Sequence, residues 1–492
     1  MTARGVAGVF GHALIFGLAP LLQKLASLVL LPWFTFYLGP EGYGLSDFLV
    51  AVTGFLPVLF GLELRVSYVR AHTSAAPGTE APLLSASTAA TALQALGASG
   101  TFFVGWPLLE RLFDQVHVSA GFRAVLAAGI ALDVLNLMLF AALQARLWSA
   151  RTTLLNLATF VLSVGANIAF VVGLELGAVG LFLANTLTAA ATTAGLFWIL
   201  RRDFGALPGW RACGALLRPL VHYSLPLWGG ALAYFVLRQV DRPVLTELAS
   251  LATLGVYGMA WKLSGLVSNF LLVPFQRSFD VWRFKLWEEG ADPRVVADVL
   301  RWLLVAAGAL ALAVATFAAD LFGALADPRF AGISLFLPLL NLAALCQCAS
   351  SVTSSAFFVT ARTAQWMRFF LLAAFAQVSL CVLGVWAVGP IGAAITSAFV
   401  QGALWVVSAR YGRALWDVPY RHREALSIVA LATGLSFARG AFAPEALSHA
   451  LLLDAGLCAM FVASAVLLRW VRVQEWRSGC ALLRSWLARR RT

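Results

Sequence analysis

Charged residues are scarce in this chain. Asp, Glu, Lys and Arg make up 12% of its 492 residues, whereas soluble domains carry about 25%. Hydrophobic residues make up 61%, against about 45–50% in soluble domains. This balance excludes an ordinary soluble protein.

Cysteine and the common catalytic motifs are also scarce. The six cysteines show no paired C-x-x-C spacing and lie mainly in apolar runs, so neither a disulfide framework nor a zinc site is predicted. The chain contains no Walker A, H-E-x-x-H or G-x-S-x-G motif, the signatures of NTPases, metalloproteases and serine hydrolases. We therefore expect a protein that is not an enzyme and that needs no cofactor.

What the chain does have is a series of long apolar runs, such as 125–143 and 303–319. About 20 such residues cross a bilayer as a helix, and the runs lack the apolar–polar alternation of barrel strands. The pattern predicts an all-α polytopic membrane protein with about 14 transmembrane helices. The predicted spans are 12–38, 43–64, 83–107, 121–143, 154–174, 179–200, 222–245, 255–275, 299–319, 333–357, 367–387, 391–409, 425–442 and 448–468.

The basic residues are distributed unevenly between the two sides of this topology. All but four of the Lys and Arg residues in loops and termini fall on the side of the N-terminus; the exceptions are Arg111, Arg123, Arg329 and Arg439. Because Lys and Arg accumulate in cytoplasmic loops, both termini are expected in the cytoplasm. The excess of 35 basic over 23 acidic residues thus reports topology, and nucleic acid is not an expected partner.

An internal repeat links the two halves of the chain. An A-R-T start, an apolar run, a G-x-x-G turn and a second apolar run occur in 149–190 and again in 360–402. Six predicted spans separate the copies, so the halves run in the same direction. We expect two pseudo-symmetric six-helix lobes, 1–218 and 219–412, followed by two extra helices and a basic tail in 413–492.

Ionisable residues also occur inside the predicted spans, where insertion costs at least about 2.5 kcal/mol each and marks candidate functional sites. They are Lys24, Asp133, Arg238, Asp241, Arg242 and Lys262. Lys24 is expected either to face a wet cavity or to pair with a carboxylate of a neighbouring helix. Asp133, with Asn136 on the same face, is either a coupling-ion or proton site or the partner of Lys24.

The stretch "LRQVDRPVL" has two interpretations. Asp241 lies three residues after Arg238 and can form a self-contained ion pair at a helix end before Pro243. Alternatively, Arg238 and Arg242 share one helix face that lines a cavity, at its centre or at its outer rim. Four cations against two anions predict a positive excess, which suits phosphate or pyrophosphate.

Two segments resemble the polysaccharide-biosynthesis flippases of the multidrug/oligosaccharidyl-lipid/polysaccharide exporter superfamily. They are "LLPWFTFYLGPEGYGLSDF" (30–48), with its L-G-x-x-x-Y-G motif, and "SLPLWGGALAYFVLRQVDRPVL" (224–245), which "LGVYGMAWKL" follows. The resemblance implies translocation of polyprenyl-pyrophosphate-linked oligosaccharide across the bacterial inner membrane, with membrane lipids, a glycan polymerase and export machinery as partners. It makes Lys24, Arg238, Arg242 and Lys262 the candidates for substrate binding. The acidic residues Asp133, Asp241 and Asp47 are candidates for coupling or charge balance.

Three other functions stay open. A multidrug antiporter coupled to Na⁺ or H⁺ would use Asp133 or Asp47. A peptidoglycan-precursor flippase shares the helix count but usually carries several arginines in its first two helices, where this chain has only Lys24. A membrane enzyme or polymerase acting on glycans is the third, and the short loops argue against it.

Overall fold

The computed structural model describes residues 31–75, 78–290, 292–325, 327–441, 447–468 and 470. The chain divides into two compact units, Met1–Gly255 and Val256–Thr492. The predicted lobe boundaries at 218 and 412 stay predictions.

The first unit is built from helices in its described part. They are α1 (Leu31–Gly61), α2 (Leu64–Thr73), α3 (Glu80–Leu112), α4 (Ala120–Ala145), α5 (Ser149–Asn167), α6 (Gly177–Leu200), α7 (Trp210–Gln239), α8 (Asp241–Leu248) and the first residues of α9 (Leu251–Leu266). Gly39 interrupts α1 with a non-helical backbone conformation, at the position where the sequence predicts the turn between its first two spans. A π-helical turn, Ile168–Gly173, extends α5.

The second unit contains the rest of α9, which continues through a π-helical turn, Val267–Leu272, into α10 (Val273–Glu288). The later helices are α11 (Arg294–Leu325), α12 (Ile333–Thr353), α13 (Ser355–Val359), α14 (Thr363–Val388), α15 (Ile391–Arg413), α16 (His422–Ala441) and α17 (Leu447–Leu467). The core of this unit lies between α11, α12, α15 and α16. Asn341 of α12 donates to the Ala311 carbonyl of α11 at 2.9 Å, which gives the amide nitrogen of this buried side chain a partner.

The all-helical membrane fold is confirmed. Within the described residues, 12 helices are long and apolar enough to cross a membrane. The predicted span 12–38 lies mostly outside the described residues, and the span 425–442 corresponds to α16, which is not among those 12. The protein is therefore a multi-pass membrane protein.

Three segments of the chain differ from the sequence prediction. The predicted span 222–245 is instead α7, which begins at Trp210 and ends at Gln239, before Pro243. A proline ring clashes with the carbonyl four residues earlier and lacks an N–H, so an α-helix ends near it. The predicted connections 65–82 and 276–298 are also largely helical, as α2 and α10. These helices were missed because neither is a long apolar run.

The repeat is visible in the backbone of each unit. The first glycine of each G-x-x-G motif, Gly177 and Gly389, has a positive φ, 55° and 76° respectively, which glycine adopts at little cost. The second glycine lies where two helices approach closely. A Cβ at Gly180 would lie 2.7 Å from the Phe170 carbonyl oxygen, and one at Gly392 would lie 2.6 Å from the Val385 nitrogen.

Candidate functional site

The break between α7 and α8 places Arg242 at a polar junction in the first unit. Arg242 is the second residue of α8, and its Nη1 donates to the Arg238 carbonyl at 2.8 Å. That carbonyl belongs to the last turn of α7, where carbonyl groups lack partners within the helix. The guanidinium therefore caps the helix that Pro243 helps to terminate.

Two carboxylates neutralise the same guanidinium. Arg242 Nη1 donates to Asp241 Oδ1 at 2.6 Å, and Arg242 Nε donates to Asp47 Oδ2 at 3.2 Å. The Arg242 and Asp241 side chains are 2% and 4% exposed, whereas that of Asp47 is 21% exposed. Arg242 thus links α1 to the α7–α8 junction, and Asp47 forms the more accessible edge of the network.

The structure adds one carboxylate to this stretch. Asp47 supplies it from α1, 195 residues away in the sequence. Arg242 therefore meets two carboxylates, and the positive excess expected of the whole set of intramembrane charges stays a prediction. Buried pairs of this kind depend on all partners, because removing one leaves an uncompensated charge that costs about 3–5 kcal/mol.

The glycines of the two sequence motifs explain how α1 reaches this junction. A Cβ at Gly44 would overlap the Leu251 carbonyl oxygen and would lie 2.9 Å from the Gly255 nitrogen. A Cβ at Gly255 would in turn overlap the Pro40 carbonyl oxygen. Backbones can approach this closely only where both side chains are absent. The L-G-x-x-x-Y-G and L-G-x-Y motifs therefore set the contact between α1 and α9.

The other predicted binding residues are distributed as follows. Arg238 is half-buried, with its guanidinium carbon 5.6 Å from the centre of the Tyr234 ring. Lys262 is half-buried in α9 and belongs to the second unit. Lys24 lies outside the described residues. The structure thus brings together Arg238, Arg242 and the two aspartates, and it leaves their assigned roles in binding and coupling as predictions.

Asp133 lies near the middle of α4, about 20 Å from its start at 1.5 Å per residue. Its side chain is exposed, and it has no hydrogen bond or ion pair within the described residues. Asn136 is buried instead. It donates to the Ala189 carbonyl at 3.1 Å and accepts from Thr193 at 2.8 Å. Asp133 and Asn136 lie three residues apart on α4, but only Asn136 packs on α6.

An apolar cavity of about 410 Å³ adjoins the ion-pair network in the first unit. Phe48 follows Asp47 in α1, Pro243 follows Arg242, and both residues line the cavity. Its other lining residues come from α1, α3 and α7, together with Phe113 and Val240, and the described polar ones are Thr101 and Gln239. This arrangement sets the ion pairs of Arg242 beside an apolar space.

Sequence reasoning missed a second buried ion pair, which lies in the second unit. Arg439 Nε of α16 donates to Asp454 Oδ1 of α17 at 2.5 Å, and the two side chains are 8% and 0% exposed. The sequence places Arg439 in an outer loop and gives Asp454 no role. An aspartate inside the last apolar run was the available signal, because such a residue is costly without a partner.

A comparison with known protein families identifies the family of this chain. A family profile described as "Polysaccharide biosynthesis protein" matches residues 11–279, which is more than half of the chain. The chain belongs to this polysaccharide biosynthesis protein family. The matched region contains the Asp47–Arg242–Asp241 network and Lys262, whereas the Arg439–Asp454 pair lies beyond it. The resemblance seen in the sequence is thereby confirmed.

Solved structures show the same fold at low sequence identity. A structure titled "Lipid II flippase MurJ, inward closed conformation" is 13% identical, with a TM-score of 0.67 over 93% of this chain and 99% of that one. An inward-facing multidrug resistance MATE transporter of the MOP superfamily is 19% identical, with a TM-score of 0.58 over 80% and 97%. No curated protein sequence matches the chain significantly. This member of the polysaccharide biosynthesis family therefore has the fold of MOP-superfamily transporters.

Proposed function

We propose that this chain is a flippase that moves polyprenyl-pyrophosphate-linked oligosaccharides, the repeat units of a cell-surface polysaccharide, across the bacterial inner membrane. The observation that carries the proposal is the polysaccharide biosynthesis family match over residues 11–279. A fold shared with a lipid II flippase supports it. The mechanism we propose is alternating access, with N- and C-termini in the cytoplasm and the lipid tail left in the bilayer.

The pyrophosphate is assigned to Lys24, Arg238, Arg242 and Lys262, because Arg offers paired donors and Lys a point charge to phosphate oxygens. Exposure favours Arg238 and Lys262 as direct contacts, since both are half-buried. Arg242 is 1% exposed and already donates to Asp47 and Asp241. We propose that Arg242 mainly sets the position of the α7–α8 junction, and that it reaches substrate only after a carboxylate is released.

Asp133 favours a second candidate, an antiporter of small drugs coupled to Na⁺ or H⁺. An exposed carboxylate at mid-helix depth suits a coupling ion or proton, because ionisable residues in spans usually mark such pathways. The MATE-like fold is compatible with this function. The same carboxylate would also serve ion coupling in a flippase, so substrate and coupling need separate experiments.

The test is deletion of the gene followed by complementation. Deletion should stop surface glycan and cause lipid-linked precursor to accumulate on the cytoplasmic side. Normal surface glycan combined with a loss of drug resistance would instead establish the antiporter. If lipid II accumulates in place of the oligosaccharide precursor, the substrate is the peptidoglycan precursor.

Complementation with Lys262→Ala tests the binding assignment. We expect reduced export at normal protein levels, because one of the predicted pyrophosphate contacts is lost. Lys285→Ala is the matched control, since Lys285 lies in α10 of the same continuous helical segment and is exposed. Equal export by both variants would remove Lys262 from the proposed site without affecting the flippase assignment.

A further inference from the structure

We propose that the adjoining ends of α5 and α6 bind the headgroup of an anionic phospholipid. This inference is independent of the transported substrate. It rests on two arginine–tryptophan stacks at these helix ends. The Arg151 guanidinium carbon lies 4.2 Å from the Trp148 ring centre, and that of Arg201 lies 5.4 Å from the Trp198 ring centre.

The packing of α5 against α6 brings the two stacks to the same end of the helix pair. We call this end, with Trp148, Arg151, Trp198 and Arg201, the rim. Gly195 of α6 accommodates Leu155 of α5 so closely that a Cβ there would lie 2.6 Å from Leu155 Cδ1. The two helices are joined by the short turn at Gly177, so they run antiparallel. Arg151 lies one turn before Leu155, and Arg201 lies less than two turns after Gly195. Both guanidinium groups therefore project from the same end of the helix pair.

The charges of Arg151 and Arg201 are open to a ligand. Both side chains are exposed, and neither forms an ion pair with a carboxylate within the described residues. The nearby carboxylate of Asp203 is already paired, because Arg146 Nε lies 3.4 Å from its Oδ1. Arg146 also donates to the Tyr68 hydroxyl at 3.3 Å. Asp203 is thus held by Arg146, which leaves the rim positively charged.

Next to these arginines, the protein surface changes from charged to apolar. A phospholipid changes in the same order, from a charged headgroup to apolar acyl chains. Along α5, Leu154, Leu157 and Val161 follow Arg151 at helical spacing and are 70%, 44% and 63% exposed. On α6, Trp198 precedes Arg201 and is 66% exposed. A phosphate can therefore bind at the helix ends while acyl chains lie along the apolar faces.

The arginines and the tryptophans of the rim are both residue types that interact with phospholipid headgroups. Arginine forms paired hydrogen bonds to phosphate oxygens, and tryptophan favours the headgroup level of a bilayer. The rim lies on the predicted cytoplasmic side, where basic pockets between transmembrane helices bind anionic headgroups. Phosphatidylglycerol and cardiolipin are anionic phospholipids whose phosphate oxygens can accept hydrogen bonds from both guanidinium groups.

The test compares binding of phosphatidylglycerol to the purified full-length chain and to an Arg151→Ala/Arg201→Ala variant, by native mass spectrometry and lipid titration. With the usual attraction of a surface arginine to an anionic lipid, loss of both should weaken binding roughly 30-fold. Arg410→Ala/Arg413→Ala removes the same charge at the end of α15 and should bind phosphatidylglycerol normally. Arg151→Lys/Arg201→Lys should retain part of the affinity, because charge remains while the paired donors are lost.

Three results would overturn the proposal. The first is wild-type phosphatidylglycerol binding by Arg151→Ala/Arg201→Ala. The second is an equal loss in the α15 control, which would show general charge attraction only. The third is full displacement of the lipid by inorganic phosphate, which would show that the apolar faces contribute nothing. A Trp198→Ala variant that elutes as a monodisperse species but binds the lipid weakly would support the stack independently of arginine charge.

Discussion

The buried Arg439–Asp454 pair predicts a large and specific loss of stability. Removing the carboxylate with Asp454→Leu leaves the Arg439 guanidinium, 8% exposed, without the partner that lies 2.5 Å away in the wild type. Breaking a buried pair in this way costs about 3–5 kcal/mol. The unfolded-to-folded ratio of the second unit should therefore rise between about 100-fold and several thousand-fold.

The double variant Arg439→Leu/Asp454→Leu distinguishes the effect of the ion pair on stability from the effect of side-chain packing. Replacing both charges by apolar groups removes the desolvation penalty, so the double variant should recover most of the loss or exceed wild-type stability. The matched control is Arg413→Leu. Its pair with Asp417 spans 3.1 Å but is exposed, at 69% and 76%, and surface pairs contribute about 0–1 kcal/mol.

Unfolding in detergent, followed by circular dichroism against added denaturant, measures these differences. The double variant and the Arg413→Leu control should have free energies of unfolding near that of the wild type. The free energy of unfolding of Asp454→Leu should be far lower. A double variant as unstable as Asp454→Leu would refute the reasoning, because packing at Asp454 would then be the cause. A single variant that loses less than about 1 kcal/mol would refute it as well.

Three further predictions concern the first unit and the loop after α11. Gly44→Ala should destabilise the chain by about 1–3 kcal/mol or abolish folding in a thermal unfolding assay, because its Cβ overlaps the Leu251 carbonyl. The control Gly61→Ala has no atom within 4 Å of the added Cβ and should fold normally in that assay. Asp241→Asn should cost more than Asp47→Asn in chemical denaturation, because Asp241 is closer to Arg242 and less exposed; the reverse order would contradict the proposed geometry. The side-chain hydrogen bond from Arg329 lowers the pKa of Asp327, so the ionised carboxylate stabilises the fold above pH about 4 and this contribution is lost as the pH falls through the lowered pKa. Arg329→Ala should accordingly lower the melting temperature at pH 7, and the difference from wild type should shrink as the pH falls below about 4. A difference that grows on acidification would contradict the assignment.

Much of the architecture follows from local features of the sequence. Runs such as 125–143 coincide with α4 because hydropathy and length act within one segment. The G-x-x-G motifs at Gly177 and Gly389 likewise identify turns, since a positive φ is a property of one residue. The two missed helices, α2 and α10, lack a long apolar run and gave no such signal.

The candidate site was only partly predictable, because some of its contacts join residues that are far apart in the sequence. The sequence marked Arg242 as an intramembrane charge and Pro243 as a helix breaker, and one of its two interpretations paired Asp241 with Arg238. Asp47 balances Arg242 from 195 residues away, because Gly44 lets α1 and α9 approach closely. No local pattern encodes such a pairing.

The sequence by itself therefore determined the class of protein, most of the helical spans and the family. Those properties depend on apolar content, turn residues and short motifs, each of which acts over a few neighbouring positions. Only the tertiary structure decided which charges meet. Arg242 with Asp47, and Arg439 with Asp454, become partners because particular helix faces pack together, and the cost of an isolated buried charge makes that packing specific.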